Sequence, residues 1–276
     1  MSNKVWMITG APRGLGAQMS KAVLASGDAL IATARKRGTL EYLGEHEHLL
    51  KLEMDVTDEQ QVKRAVKESL KRFTRIDVIV NNAGYGLMGA VEECSSSEVR
   101  NIFSTNVFGL LNVIRAVLPA MRSQHSGHII NLSSTVGFSA ALACGIYSST
   151  KFAVEGVSEA LYAELLPLGI HVTVVEPGGF RTEFLREQSI VNAEASISDY
   201  AGSVGMIRGL FRDSKNIPLP GDPSKLAQAV LHLASSDNPP LRLPLGTDAL
   251  QRMMEKNAFV EKKTGQWRTF AMSTDH

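Results

Sequence analysis

Val5-Trp6-Met7-Ile8-Thr9-Gly10-Ala11-Pro12-Arg13-Gly14-Leu15-Gly16 decides the fold, because a short apolar run passes straight into a glycine turn. Residues 17–24 continue with helical spacing, so the order is strand, glycine turn, helix. In that context the glycines let the backbone approach a pyrophosphate, and the helix presents free N–H groups and its positive dipole end to it. The spacing is T-G-x-x-x-G-x-G rather than the commoner G-x-G-x-x-G, and alone it describes only a tight turn. The rest of the chain gives it meaning.

Moving outward, residues 28–34 read as a second buried strand that ends at Arg35-Lys36-Arg37, where a dinucleotide's adenosine ribose would lie. Residues 49–54 read as a third strand, followed by Asp55-Val56-Thr57-Asp58 and an amphipathic helix over 59–73 with Asp58 as its N-cap. His46 and His48 lack acidic or cysteine companions, so no metal site is read there. Residues 76–80 form a fourth strand closed by Asn81-Asn82-Ala83-Gly84, small enough for the backbone to pass close to a flat ring. Ser95-Ser96-Ser97-Glu98 caps a long apolar-periodic helix over 102–121, which carries Asn106 inside it. Strands over 170–175 and 241–245, with a helix between them from Gly221-Asp222-Pro223-Ser224 to residue 234, complete an alternating α/β pattern.

The chemistry gathers between Ser134 and Lys151. Ile129-Ile130-Asn131-Leu132 is a buried strand that delivers Ser133 and Ser134 to the sheet's carboxyl edge, where crevices of open α/β sheets lie. Tyr147 and Lys151 stand four apart at the start of a helix that runs to about residue 166, and so share a face. A phenol that exchanges protons near neutrality must favour phenolate by roughly 4 kcal/mol relative to free tyrosine, and a nearby ammonium can supply much of that. The Ser134 hydroxyl can hold a carbonyl or hydroxyl oxygen beside the phenol while a hydride moves at carbon. Y-x-x-x-K alone is a weak signal.

The chain has 276 residues, 44% hydrophobic and 21% charged, within the range of one α/β domain spanning 1–276. With 29 basic and 28 acidic residues there is no field for nucleic acid. Cys94 and Cys144 are too few for a disulfide framework or a cysteine-built zinc site, which suits a reducing cytoplasm. No run of the sequence reads as a membrane span, and the first strand begins too early for a signal peptide.

With these segments placed, the sequence resembles the short-chain dehydrogenase/reductase family over nearly its whole length, to about residue 250. Thr9 to Gly16 is similar to the family's cofactor turn, Asn81-Asn82-Ala83-Gly84 to its N-N-A-G strand end, and Tyr147 with Lys151 to its Y-x-x-x-K. Pro177-Gly178 with Thr182 is similar to its nicotinamide-side loop, Ser134 stands at the family's spacing before Tyr147, and Asn106 falls at its fourth catalytic position. Pro12 and Arg13 stand where many members have Ser. The resemblance implies a single Rossmann-type, doubly wound, mainly parallel seven-stranded sheet of order 3-2-1-4-5-6-7. It implies Tyr147 as acid/base, Ser134 on the substrate oxygen, Lys151 on the nicotinamide ribose and Asn106 anchoring a relay water. The implied cofactor wall is Thr9, Gly10, Arg13, Gly14, Leu15 and Gly16, with Arg35, Asp55 at the adenine, Val56, Asn82, Ala83 and Gly84. Pro177, Gly178, Phe180 and Thr182 close it. The family's habit of pairing helices implies a homo-oligomer, dimer or tetramer.

Residues 183–220 carry few periodic signals and read as a substrate flap, and 264–276 as a frayed tail. Phe138, Leu142, Cys144, Gly179 and Phe184, with Phe180, are expected around the reacting carbon, which favours a hydrophobic ketone or secondary alcohol. Arg35 after the second strand and Arg13 in the glycine turn, with no carboxylate at the end of the second strand, point to NADP(H) over NAD(H). The competing function is a catalytically silent NADP(H) sensor on the same fold.

Overall fold

The four apolar residues of β1, Val5–Ile8, are all buried, and they form the middle of a sheet whose neighbours pair in parallel. The computed structural model describes residues 4–182, 189–212 and 219–275. β1 pairs on one side with β2 (Ala29–Ala34), Trp6 opposite Leu30, and on the other with β4 (Val78–Asn81), Trp6 opposite Val78. β3 (Leu49–Glu53) lies outside β2. Beyond β4 come β6 (Gly127–Leu132), β7 (Ile170–Pro177) and β9 (Arg242–Leu245). The order β3-β2-β1-β4-β6-β7-β9 is the expected one once two strands outside this sheet, β5 (Gly86–Met88) and β8 (Ile190–Asn192), are set aside. Reversal of strand order beside β1 opens the crevice that such sheets use for ligands.

Because side chains alternate across a strand, Val5 and Met7 face one layer while Trp6 and Ile8 face the other. The first layer holds α2 (Glu59–Phe73), α4 (Leu110–Gln124) and α6 (Gly145–Leu165). The second holds α1 (Gly14–Ala25) packed on α8 (Pro223–Ser235). Each fully buried aliphatic side chain contributes about 1.5–3 kcal/mol, so two such cores fix the strand ends firmly. The caps are those the sequence announces. The Asp58 carboxylate accepts the N–H groups of Gln60 and Gln61, and Ser95 and Glu98 form a reciprocal capping box.

Three differences from the sequence expectation matter. The helix expected over 102–121 is longer, beginning as α3 (Ser96–Phe103) and reaching α4 through a π-turn, Ser104–Gly109, centred near Asn106. Over Ser96–Gln124 it contains a window apolar enough to cross a membrane, half of it buried in the fold. The expected frayed tail continues instead as helix α9 (Thr247–Met272), because the run from Leu250 to Lys263 favours helix and no proline follows to stop it. The flap carries more order than its weak periodicity suggests: β8 pairs with β5, and α7 (Met206–Arg212) follows. Residues 183–188 and 213–218 of that segment lie outside the described residues.

Candidate active site

β6 ends at Leu132, and the next residue is still held to the sheet by the Ser133 N–H donating to the Val175 carbonyl at 2.8 Å. Ser134 is extended and caps the four-residue helix α5, Thr135–Phe138. From α6, Tyr147 projects one turn after the N-cap Cys144, and its phenol hydrogen-bonds the Ser134 side chain. Lys151, one turn further, is buried and donates from Nζ to the Leu132 carbonyl at 2.6 Å. Its ammonium lies 6.0 Å from the Tyr147 ring centre.

Burial dominates the electrostatics here. It pushes the Tyr147 phenol well above the ordinary tyrosine range, with Cys144 adding and the Ser134 bond opposing. It pushes Lys151 down to about 8, against the attraction of Glu155. The expected lowering of the phenol by Lys151 is therefore outweighed, since desolvation penalises phenolate more than the ammonium's pull at this distance favours it. A neutral phenol is the form suited to giving up a proton.

The glycine turn and the N-N-A-G strand end are stitched together. Thr9 Oγ1 accepts the N–H groups of Asn82 and Ala83 at 3.0 Å each, and Asn82 Nδ2 donates to the carbonyls of Thr9 and Gly10 at 2.9 Å. Gly10 adopts φ +65°, and a Cβ there would lie 2.9 Å from the Ala83 Cα, so both conformation and contact require glycine. Asn106 Oδ1 accepts the Tyr85 N–H at 3.1 Å, while its Nδ2 donates to the Tyr85 carbonyl at 2.9 Å and Thr150 Oγ1 at 3.1 Å. It thereby clamps the chain after Gly84 against α6.

These pieces wall one cleft of about 1480 Å³ along the carboxyl edge of the sheet. At one end stand Gly10, Pro12, Arg13, Gly14, Leu15, Arg35, Lys36, Asp55 and Val56, and in the middle Asn82, Ala83 and Gly84. At the other end stand Ser134, Tyr147, Lys151, Pro177, Gly178, Gly179, Phe180 and Thr182. The length, the glycine approach at the amino end of α1 and the cations at one extremity fit a nicotinamide dinucleotide. Thr9, Gly16 and Asn106 stand behind the wall and shape it from there.

The substrate end departs from the sequence expectation. Gly179 and Phe180 line the cleft, but Phe138, Leu142 and Cys144 do not. The Phe138 ring faces the Arg242 guanidinium 5.7 Å away, Leu142 is exposed, and Cys144 is taken up as the α6 N-cap beside Gly89. Sequence proximity to Tyr147 does not bring these side chains to the cleft wall, although the Cys144 thiol stays close enough to the phenol to raise it. Phe184 lies outside the described residues. Tyr85, Leu87, Val191 and Leu219 line the cleft instead. The three-residue strands that carry Leu87 and Val191 are too short for a periodic signal. They are held by a buried pair: Arg208 lies 3.2 Å from the Glu93 carboxylate and donates to the carbonyls of Met88, Ala193 and Ala195.

Residues 4–192 match the family model for short chain dehydrogenase. An oxidoreductase of Botryotinia fuckeliana, BOA17, is 37% identical over 274 residues, covering 98% of this chain and 99% of that one. A 3-ketodihydrosphingosine reductase of Bacteroides thetaiotaomicron is 37% identical and covers 89% of each. A solved short-chain dehydrogenase from Streptomyces avermitilis superposes with a TM-score of 0.91 at 38% identity over 99% of both chains. Other similar structures contain nicotinamide cofactors, NADH in a Brucella melitensis reductase and NADP in ElxO. The match of family model, fold and full-length relatives has one reading: the chain belongs to the short-chain dehydrogenase family and is an oxidoreductase working between CH–OH and C=O groups with a nicotinamide cofactor.

Proposed function

We propose that the protein interconverts a hydrophobic ketone and its secondary alcohol, prefers NADP(H), and uses Tyr147 as the proton donor and acceptor. The observation that carries the reading is the Ser134–Tyr147 hydrogen bond at the cleft wall, one helical turn from the buried Lys151. The cofactor, when bound, supplies or accepts the hydride. In reduction, Ser134 and Tyr147 hold the carbonyl oxygen, and Tyr147 gives it a proton as hydride arrives at carbon. Burial keeps the phenol protonated but weakens it as an acid, and the transfer still runs because the oxygen becomes alkoxide-like, a stronger base than even a raised phenolate. Lys151 sits where it can bind the ribose and place positive charge beside the phenol. The Asn106 amide is committed to Tyr85 and Thr150, so its contribution is to hold that wall in place.

Leu87, Val191, Phe180 and Leu219 support a hydrophobic substrate, and so does the likeness to a reductase named for a long-chain ketone. Arg13, Arg35 and Lys36 support NADP(H). Glu53, the acid paired in register with Ala34, accepts the Arg37 N–H at 3.3 Å and does not line the cleft. Oxidation of NADPH by a panel of ketones graded in chain length and charge tests the reading. Turnover rising with apolar length is expected, and a phosphorylated or strongly acidic best substrate would refute it.

A further inference from the structure

Behind Lys151, on the side away from the cleft, two glutamates meet over a single guanidinium. Glu155 stands one helical turn after Lys151 on α6 and is 5% exposed, while Glu176 on β7 is fully buried. Glu155 Oε2 and Glu176 Oε1 both accept from the same nitrogen, Arg242 Nη1, at 2.5 and 3.0 Å. Three oxygens here are sealed from solvent, Glu155 Oε1, Glu176 Oε2 and Ser133 Oγ, and among the described residues the only groups they can share hydrogen bonds with are one another, Glu155 with Ser133 and with Glu176. A Cβ added to Gly137 would meet both Ser133 Oγ and Glu155 Oε1, which places those two atoms together over α5.

One guanidinium nitrogen cannot balance two ionised carboxylates in a desolvated site, and like charges that close do not both ionise. The Ser133 hydroxyl can give Glu155 one hydrogen bond, but two carboxylates facing each other cannot hydrogen-bond unless one is protonated and so becomes a donor. Building on the reading of the site given above, we propose that Glu155 and Glu176 share one proton beside Arg242, and that this carboxyl pair governs the charge felt by Lys151. Both glutamates are then positioning residues, acting on the reaction through the lysine.

The remaining charged groups nearby are accounted for. Glu159, on the exposed side of α6, lies 3.4 Å from Arg242 Nη2. Asp248 of α9 accepts the Gly179 N–H at 2.6 Å, and Arg252 donates to the Ser139 and Ala140 carbonyls. Lys151 is the one other cation turned toward Glu155 among the described residues. Burial, reinforced by Glu155, pushes Glu176 up to about 7, and burial pushes Glu155 up as well. The pair therefore loses its proton just below the point where Lys151, at about 8, would lose its own. The added negative charge then holds the ammonium on. The alkaline limit of the site is set by the pair as much as by the lysine.

The test uses the full chain and the isosteric variants Glu155→Gln and Glu176→Gln, each of which leaves Arg242 one buried carboxylate beside the exposed Glu159. Difference infrared titration, without cofactor or substrate, should show in the wild type a carboxylic-acid carbonyl band that persists near neutrality and disappears by about pH 9, absent from both variants. The NADPH dissociation constant, followed by fluorescence against pH, should begin its alkaline rise about one unit earlier in Glu155→Gln, the scale of coupling expected between interacting sites. Glu155→Asp, which keeps the charge, should restore the wild-type limb. No neutral-pH carboxylic band in the wild type, or an unmoved alkaline limb in Glu155→Gln, overturns the proposal. A protein that reduces none of the ketones would refute the substrate reading yet leave both of these measurements decisive.

Discussion

The Ser134 hydroxyl and the Tyr147 phenol are hydrogen-bonded although one caps α5 and the other belongs to the first turns of α6. That bond joins the end of the central sheet to the helix that carries the acid. Tyr147→Phe should keep fold and cofactor affinity and lose turnover by a factor of about 10²–10⁴. Steady-state kinetics beside a cofactor titration checks it, and a variant retaining more than a few per cent of activity would remove Tyr147 from the chemistry. Ser134→Ala should follow it, while Ser133→Ala should be milder, because the Ser133 hydroxyl is buried toward Glu155.

What could be read from residues alone follows from which forces are local. The strand–glycine–helix order, the Asp58 cap and the Ser95–Glu98 box are set within a few residues, and the structure repeats them. Ser134, Tyr147 and Lys151 were also legible, since strand end and helix start fix where they point. The substrate wall was not. Leu87 and Val191 come together only through pairing of two three-residue strands far apart in sequence, held by a buried ion pair. Glu155 and Glu176 look like ordinary surface charges until β9 brings Arg242 to them.

The Glu93–Arg208 pair should hold the substrate flap. Glu93 is 3% exposed and also accepts the N–H groups of Ala90 and Ile197, so removal of the arginine strands a buried charge. Arg208→Ala should cost about 3–5 kcal/mol of stability and raise KM for the carbonyl substrate more than for the cofactor. Chemical denaturation with both KM values decides, and equal rises in the two would mean that the pair supports the fold generally and not the flap.

His128 supplies a pH dependence of a different origin. Its Nε2 lies 3.0 Å from Thr173 Oγ1, whose own proton goes to the Pro240 carbonyl, so the imidazole Nε2–H is the donor. Burial, aided by His171 and Lys4, pushes it down to about 3. A depressed histidine binds its proton more readily when unfolded, so its contribution is present above the unfolded value near 6.5 and is lost as pH falls toward 3. Urea midpoints measured from pH 7 to pH 4 should fall less steeply in His128→Gln than in the wild type.

We further expect a homo-oligomer. Phe108, on the π-turn, Phe152, in the first half of α6, and Leu166, its C-cap, are 56%, 45% and 48% exposed, so not all the apolar residues of these helices face the sheet. Sedimentation should give a multiple of 29.9 kDa. Phe108→Ser/Phe152→Ser should shift it toward the monomer, and a wild-type monomer at micromolar concentration would refute the association.

Cofactor choice should rest on the exposed cations after β2. A 2′-phosphate at that place needs cations, whereas an enzyme selecting NAD needs an acidic acceptor for the ribose hydroxyls. Arg35 and Lys36 line the cleft beside Arg13, and Arg35 can offer a two-pronged fork to a phosphate. The nearest acid on β3, Glu53, is turned to the Arg37 amide. Charge-assisted contacts contribute about 1.5–3 kcal/mol each, which corresponds to a preference of about tenfold or more. The ratio of kcat/KM for NADPH and NADH measures it. Arg35→Ala should lower the ratio by about tenfold through KM, and Ala34→Asp/Arg35→Ala should invert it by placing a carboxylate at the end of β2. If the wild type used both cofactors equally, the arginines would be surface charges that read no phosphate.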